Sequence, residues 1–137
     1  MKIKNIFDIA GRAMAAQMVR LNTISSNLAN AGATTGDPET VYKPLKPEFK
    51  TQYSENVKKN GISTVNVSKV VELQKEPFKI FDPNHPLADG DGYIYKAPIN
   101  VEEEMVDMMD ASRHYQNNVE VVTTLKALTL KTINLGK

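Results

Sequence analysis

With 137 residues, 41% of them hydrophobic, and a formal charge of +1, the chain is one domain's worth of sequence without the basic excess that holds nucleic acid. It has no cysteine, which excludes a disulfide framework and a thiolate metal site. Its apolar residues gather at the two ends, and no stretch approaches the roughly 18 uncharged apolar residues of a membrane span.

The first predicted element is a helix from about residue 3 to Ala31. Phe7, Met14, Leu21 and Leu28 recur every seven residues, with Ile3, Ala10, Ile24 and Ala31 between them, which is the spacing of a coiled-coil seam. Only Gln17 interrupts the stripe. Gly32 stands where a left-handed C-terminal cap is expected, and Gly11 would let a second helix approach closely. Asp8 and Arg12 fall where a secretory signal needs its apolar run, so export by that route is not expected. Lys2, Lys4, Arg12 and Arg20 against Asp8 leave residues 1–35 at +3.

Residues 36–97 hold most of the seven prolines and read as short strands and loops around a small core. Lys46 to Tyr53 and Ile62 to Leu73 alternate as half-buried strands do, with Val65, Val67 and Val71 on one face. Phe78, Ile80 and Phe81 precede a turn-rich run from Asp82 to Gly92, and Tyr93 to Lys96 resumes as a short extended piece. Asp89-Gly-Asp-Gly92 resembles the start of a calcium loop, but Tyr93 and Asn100 stand where later oxygen ligands belong, so a tight turn is the simpler reading. His85 and His114 lie in different elements without a third ligand at metal spacing. No metal site, cofactor site or catalytic group is therefore expected.

The last element is a helix from about residue 101 to Thr132 or beyond. Asn100 is its N-cap, Glu103 sits in capping-box position, and Glu102 and Glu104 complement the helix dipole. Its apolar stripe runs through Val101, Met105, Met108, Tyr115, Val119 and Val122, is broken by Ser112, and slips to Val121, Leu125, Leu128 and Leu135. Lys131 and Lys137 lie near the negative end, and Gly136 marks a stop. Six acids against Arg113, Lys126, Lys131 and Lys137 leave this segment at −2, so the two end helices carry opposite charge. The consecutive glutamates fan around the helix axis and do not converge on one substrate.

The fold class expected is mainly α with a small β or extended middle region, the N- and C-terminal helices pairing as an antiparallel coiled-coil-like hairpin. The chain divides into an N-terminal helix (1–35), a central short-strand and loop region (36–97) and a C-terminal helix (98–137). Phe7, Met14, Leu21, Leu28, Met108, Tyr115, Val122 and Leu125 are the packing positions. Asn27, Asn30, Arg113 and Gln116 are the expected polar contacts between subunits. On patterning alone, a non-polymerising helical adaptor or chaperone that binds a partner helix is the alternative.

Asn5-Ile-Phe-Asp-Ile-Ala-Gly11, Ala15-Ala-Gln17, Arg20-Leu-Asn22 and Ser26-Asn-Leu-Ala-Asn-Ala31 resemble the N-terminal region of flagellar rod and hook proteins. Asn84-His-Pro-Leu-Ala-Asp-Gly-Asp-Gly-Tyr93, Glu104-Met-Val106, Ala111-Ser-Arg113, Tyr115-Gln-Asn117, Leu130-Lys-Thr132 and Leu135-Gly136 resemble the later part of the family's proximal-rod members. Gly32-Ala-Thr-Thr-Gly-Asp37 departs from the Asn-Thr-x-Gly-Tyr run that commonly follows the asparagine signature. The resemblance implies a structural, non-enzymatic subunit of the periplasmic rod, a torque-transmitting drive shaft whose wall encloses the export channel. It implies export through the flagellar type III apparatus without a cleaved signal peptide. The implied partners are copies of itself, rod proteins of the FlgB, FlgF and FlgG types, the rod-to-ring adaptor FliE and the inner-membrane ring.

Overall fold

A computed structural model describes residues 2–52 and 64–136. The side chain of Ile3, and Tyr53, Ile62 and Lys137, lie outside the described residues. In chain order come α1 (Lys2–Asn30), β1 (Thr34–Thr35), a 3-10 turn (Pro38–Thr40), β2 (Leu45–Gln52), β3 (Thr64–Glu72), β4 (Phe78–Phe81), β5 (Tyr93–Lys96) and α2 (Val101–Leu135). The chain is thus mainly helical with a β-containing middle.

The two helices start and stop for different reasons. Asn100 is extended and its side-chain oxygen accepts the Glu102 and Glu103 N–H groups at 3.0 and 3.2 Å, which satisfies two otherwise orphaned donors of α2. Glu102, Glu103 and Glu104 follow in the first turn, where the dipole favours negative charge. At the far end Gly136 donates to the Ile133 carbonyl without leaving the right-handed half of φ space. α1 ends on Asn30, and Gly32 does not adopt the left-handed conformation expected of it. The Ala31 N–H turns back to Leu28 O, the Ala33 N–H to Asn30 O and the Asn30 side-chain amide to Ser26 O, so tightened turns close the helix.

β2 and β3 form an antiparallel hairpin, registered from Leu45 opposite Glu72 to Gln52 opposite Thr64, with an irregularity between Glu48 and Phe49. Val67 and Val71 are half-buried on it and Val65 is exposed. β5 is the central strand of a separate antiparallel sheet in the order β1-β5-β4. The turn between β4 and β5 is closed by the Asp82 N–H donating to Gly92 O. Gly92 has φ +82° there, a conformation that favours glycine, and a Cβ would also crowd the Phe81 ring and Pro83 at 3.1 Å.

α1 is the element that α2 and the hairpin share: it packs on α2 and also on β2 and β3. The core is small. Ala31, Val41, Ala97 and Ile99 are buried together where the end of α1 meets the approach to α2, and Tyr42 and Tyr95 lean on them. No large side chain is fully buried anywhere among the described residues.

Along α2 the withdrawn positions include Glu104, Met108, Ala111, Tyr115, Asn118, Val122, Leu125 and Thr129, spaced alternately four and three apart. Val101, Met105, Val119, Val121, Leu128 and Leu135, part of the stripe expected from sequence, are exposed. The difference is one of rotation. Apolar residues occur on more than one face of α2, and the face turned inward is the one with fully buried Ala111, the small side chain that permits close approach. Gly11 does not play that part on α1, since no atom comes within 4 Å of where its Cβ would be.

Asn27 is 2% exposed and joins three elements. Its amide nitrogen donates to Leu45 O at 2.9 Å and Glu104 Oε1 at 3.1 Å, and its oxygen accepts the Tyr42 hydroxyl at 3.1 Å and the Leu45 N–H at 2.8 Å. Both donors and both acceptor sites are filled. Leucine at this position would leave several of those groups unpaired at about 1–3 kcal/mol each. Asn27→Leu is therefore expected to lower the unfolding free energy by about 2–4 kcal/mol. Urea titration should show the midpoint fall while the slope is kept.

Candidate assembly surface

The surface to be explained is the pair of long helices and what they leave uncovered. Arg20 reaches from α1 to α2 as a fork, donating to Asp107 Oδ1 at 2.9 Å and to Asp110 Oδ2 at 3.0 Å. One turn and more further along α1, Asn27 meets Glu104. The later residue of α1 meets the earlier residues of α2, so the helices run antiparallel. Asp110 also lies 3.5 Å from His114 Nε2 on its own helix. The opposite charges of the two end segments thus meet at Arg20, in a two-toothed geometry that an isolated surface pair lacks.

Counting back along α1 and forward along α2 from these pairs brings Lys2 level with residues from Leu125 to Thr129. Leu130, Ile133 and Leu135 extend past the start of α1 and are 53%, 56% and 88% exposed. A second exposed apolar set, Met105, Val106 and Met109, lies near the other end of α2.

The expected packing residues Phe7, Met14, Leu21 and Leu28 on α1 are all half-buried, as are Met108, Tyr115, Val122 and Leu125 on α2. Each keeps surface in reach of a further partner. Of the expected polar contacts, Arg113 and Gln116 are exposed and Asn30 is half-buried. Asn27, placed by sequence among contacts between subunits, instead spends its whole hydrogen-bonding capacity within the chain. Gln17, the polar break in the predicted stripe, has a buried Oε1 with no hydrogen-bond partner among the described residues. Sequence reasoning missed Arg20, Asp107 and Asp110 as the cross-link, although the charge difference between the end segments pointed to such a contact.

The candidate ligand groups are engaged in turns and caps. Asp89 Oδ1 accepts the Asp91 and Tyr93 N–H groups at 3.0 and 2.8 Å, and its Oδ2 accepts the Tyr95 hydroxyl at 3.1 Å. The Tyr93 N–H is the main cause that holds its carboxyl below the usual range. His85 Nδ1 accepts the Leu87 N–H at 3.1 Å in the same loop. A cleft of about 360 Å³ opens between α1, the base of the hairpin and the start of α2, lined by Arg20, Ile24, Phe49, Leu73, Lys75 and Glu104 among others. Of its lining groups, Arg20 and Glu104 are already committed to cross-links between the helices.

Two family models match the chain, and they fall on its two helical ends: one described as "Flagella basal body rod protein" over residues 7–36, and one described as "Flagellar basal body rod FlgEFG protein C-terminal" over residues 91–135. Along its whole length the chain is 42% identical to the flagellar basal-body rod protein FlgC of Salmonella typhimurium, with all of both chains covered. It is 42% identical to the FlgC of Escherichia coli O157:H7 and 40% identical to that of Yersinia enterocolitica, again over the full length of each.

The two matched segments are those that Arg20, Asn27 and Glu104 hold together. Glu104 bears the cost of that position. Desolvation pushes its carboxyl above the usual range, while the hydrogen bond from Asn27 pulls the other way; nearby Asp107 adds to the rise, and Lys75 and Lys46 oppose it. A carboxyl raised on folding binds its proton more readily in the folded state. The charged side chain therefore lowers stability at neutral pH, and that loss disappears as pH falls through the folded-state value to below the unfolded one, about 4.3. Glu104→Gln keeps the acceptor for Asn27 without the charge. Thermal unfolding should find the variant more stable than the parent at pH 7 and equal to it below about pH 4.

Proposed function

The chain belongs to the FlgC family of flagellar basal-body rod proteins, and on that premise we propose that it polymerises through its terminal helices into the proximal rod. It is a structural subunit of the rod and not an enzyme. Full-length identity of 42% to a rod protein is the observation that carries this, and it does not favour a non-polymerising adaptor or chaperone.

In the assembled rod, residues 1–35 and 98–137 act as one terminal helical unit and 36–97 as the part outside it. The helices pair as an antiparallel coiled-coil-like hairpin, a reading supported by the four-and-three spacing of withdrawn positions on α2 and by the Arg20 and Asn27 cross-links. Phe7, Met14, Leu21, Leu28, Met108, Tyr115, Val122 and Leu125 pack this unit internally and, with their remaining exposed surface, against neighbours. Asn30, Arg113 and Gln116 supply polar contacts between subunits. Heterologous contacts that do not close generate a helical tube, so torque passes through many packed interfaces and the inner helices line the export channel.

The subunit works in the periplasm after export through the flagellar type III apparatus, without a cleaved signal peptide. It is assembled with rod proteins of the FlgB, FlgF and FlgG types, FliE and the inner-membrane ring. Among the described residues no helix is long and apolar enough to cross a membrane.

Mass spectrometry of detergent-extracted hook–basal bodies is expected to find the chain in several copies at fixed ratio to other rod proteins; its absence from intact basal bodies refutes the assignment. A charge in the packed seam is expected to block assembly while leaving secretion alone. Leu21→Asp should be recovered outside the cytoplasm at the parent level yet be missing from basal bodies.

A further inference from the structure

Resting on the reading of the chain as a polymerising rod subunit, we propose that the outward face of the first turns of α2 receives the last turns of α2 from a second copy, head to tail. Met105, Val106 and Met109 are 54%, 65% and 66% exposed and form an apolar ridge on the side of α2 turned away from Met108 and Ala111. A shallow groove lined by Glu102, Glu103, Val106 and Asp107 runs beside it. At the other end Leu130 and Ile133, three residues apart, make a second apolar ridge beyond the reach of α1, and Leu135 stands exposed on another side of the helix.

The charges on the two ridges are opposite. The first ten residues of α2 hold five carboxylates and no base, whereas from Lys126 to the end of the chain there are three lysines and no acid. Asp107 and Asp110 are taken by Arg20, but among the described residues Glu102, Glu103, Lys126 and Lys131 form no ion pair. The helix dipole accounts for acids in the first turn, but it does not account for methionines and leucines left in solvent at both ends.

The ends stand about 30 Å apart or more on one rigid helix, since some twenty residues separate them at 1.5 Å each. They cannot meet within a chain. A second copy brings them together in a contact that is heterologous and leaves one free end of each kind, as a non-closing assembly requires. Head-to-head association would oppose acid to acid, so the charge asymmetry sets the direction of stacking while the apolar ridges supply the contact area.

The absence of native cysteine makes thiol cross-linking a clean test. Val106→Cys and Ile133→Cys, both at exposed positions, are produced as separate chains in one cell, and isolated basal bodies are treated with a short bismaleimide. A covalent dimer of the two chains is expected, formed only when both variants are present. Cross-linking of either variant to itself, or to another rod protein in place of the dimer, would overturn the inference. So would the lack of any cross-link with both chains incorporated, an outcome that leaves the rod reading intact. Absence of even the unsubstituted chain from basal bodies removes the rod reading and the inference with it. As a second measurement, E102K with E103K should lower dimer yield several-fold, and adding K126E with K131E to both chains should restore it; failure of restoration would count against the proposal.

Discussion

The arrangement depends on the side chain of Asn27, which ties α1 to the start of the hairpin and to the first turn of α2. An amide suits this place because it has two donors and two acceptor sites, and the four groups around it are two of each kind: the Leu45 carbonyl and Glu104 carboxylate accept, and the Tyr42 hydroxyl and Leu45 N–H donate. An aspartate could not donate, and an apolar residue could do neither. Arg20, one and a half to two turns earlier on the same helix, adds the second tether to Asp107 and Asp110. With both in place, the rotation and the axial register of the two helices are fixed by polar contacts whose geometry is far stricter than that of an apolar stripe.

Strict polar tethers matter more here because apolar burial is thin. Four small or medium residues form the cluster at the foot of α1, and most of α2 has only half-buried side chains toward its neighbour. A chain that leaves Met105, Val106, Met109, Leu130, Ile133 and Leu135 in water has not completed its core alone. For a subunit proposed to polymerise this is a consistent division: polar contacts shape the monomer, and apolar surface is left free for neighbours.

Much of this was legible along the chain. The N-cap at Asn100, the acidic first turn of α2, the tight turn around Asp89 and the extended piece at β5 follow from local chemistry that acts over a few residues. The family was legible too, because Asn5 to Ala31 and Asn84 to Gly136 carry its characteristic runs. Other readings failed, among them one local and one that depended on a distant partner. Gly32 was expected to cap α1 in the left-handed region, but the turns through Ala31 and Ala33 satisfy the end without it. The inward stripe of α2 was drawn through Val101, Met105 and Val119, whereas Glu104, Ala111 and Asn118 are withdrawn in their place.

By itself, then, the sequence determined what depends on near neighbours: where helices begin, which segments are extended, where the chain must turn, and to which family it belongs. Only the tertiary structure decided which face of α2 turns inward, that Arg20 bridges two aspartates some ninety residues away, and that Asn27 serves the interior of the subunit. The physical reason is that a helix with apolar residues on several faces is nearly indifferent to rotation about its own axis. Fully buried Ala111 and a handful of directional hydrogen bonds, all between residues distant in sequence, select one rotation from the set.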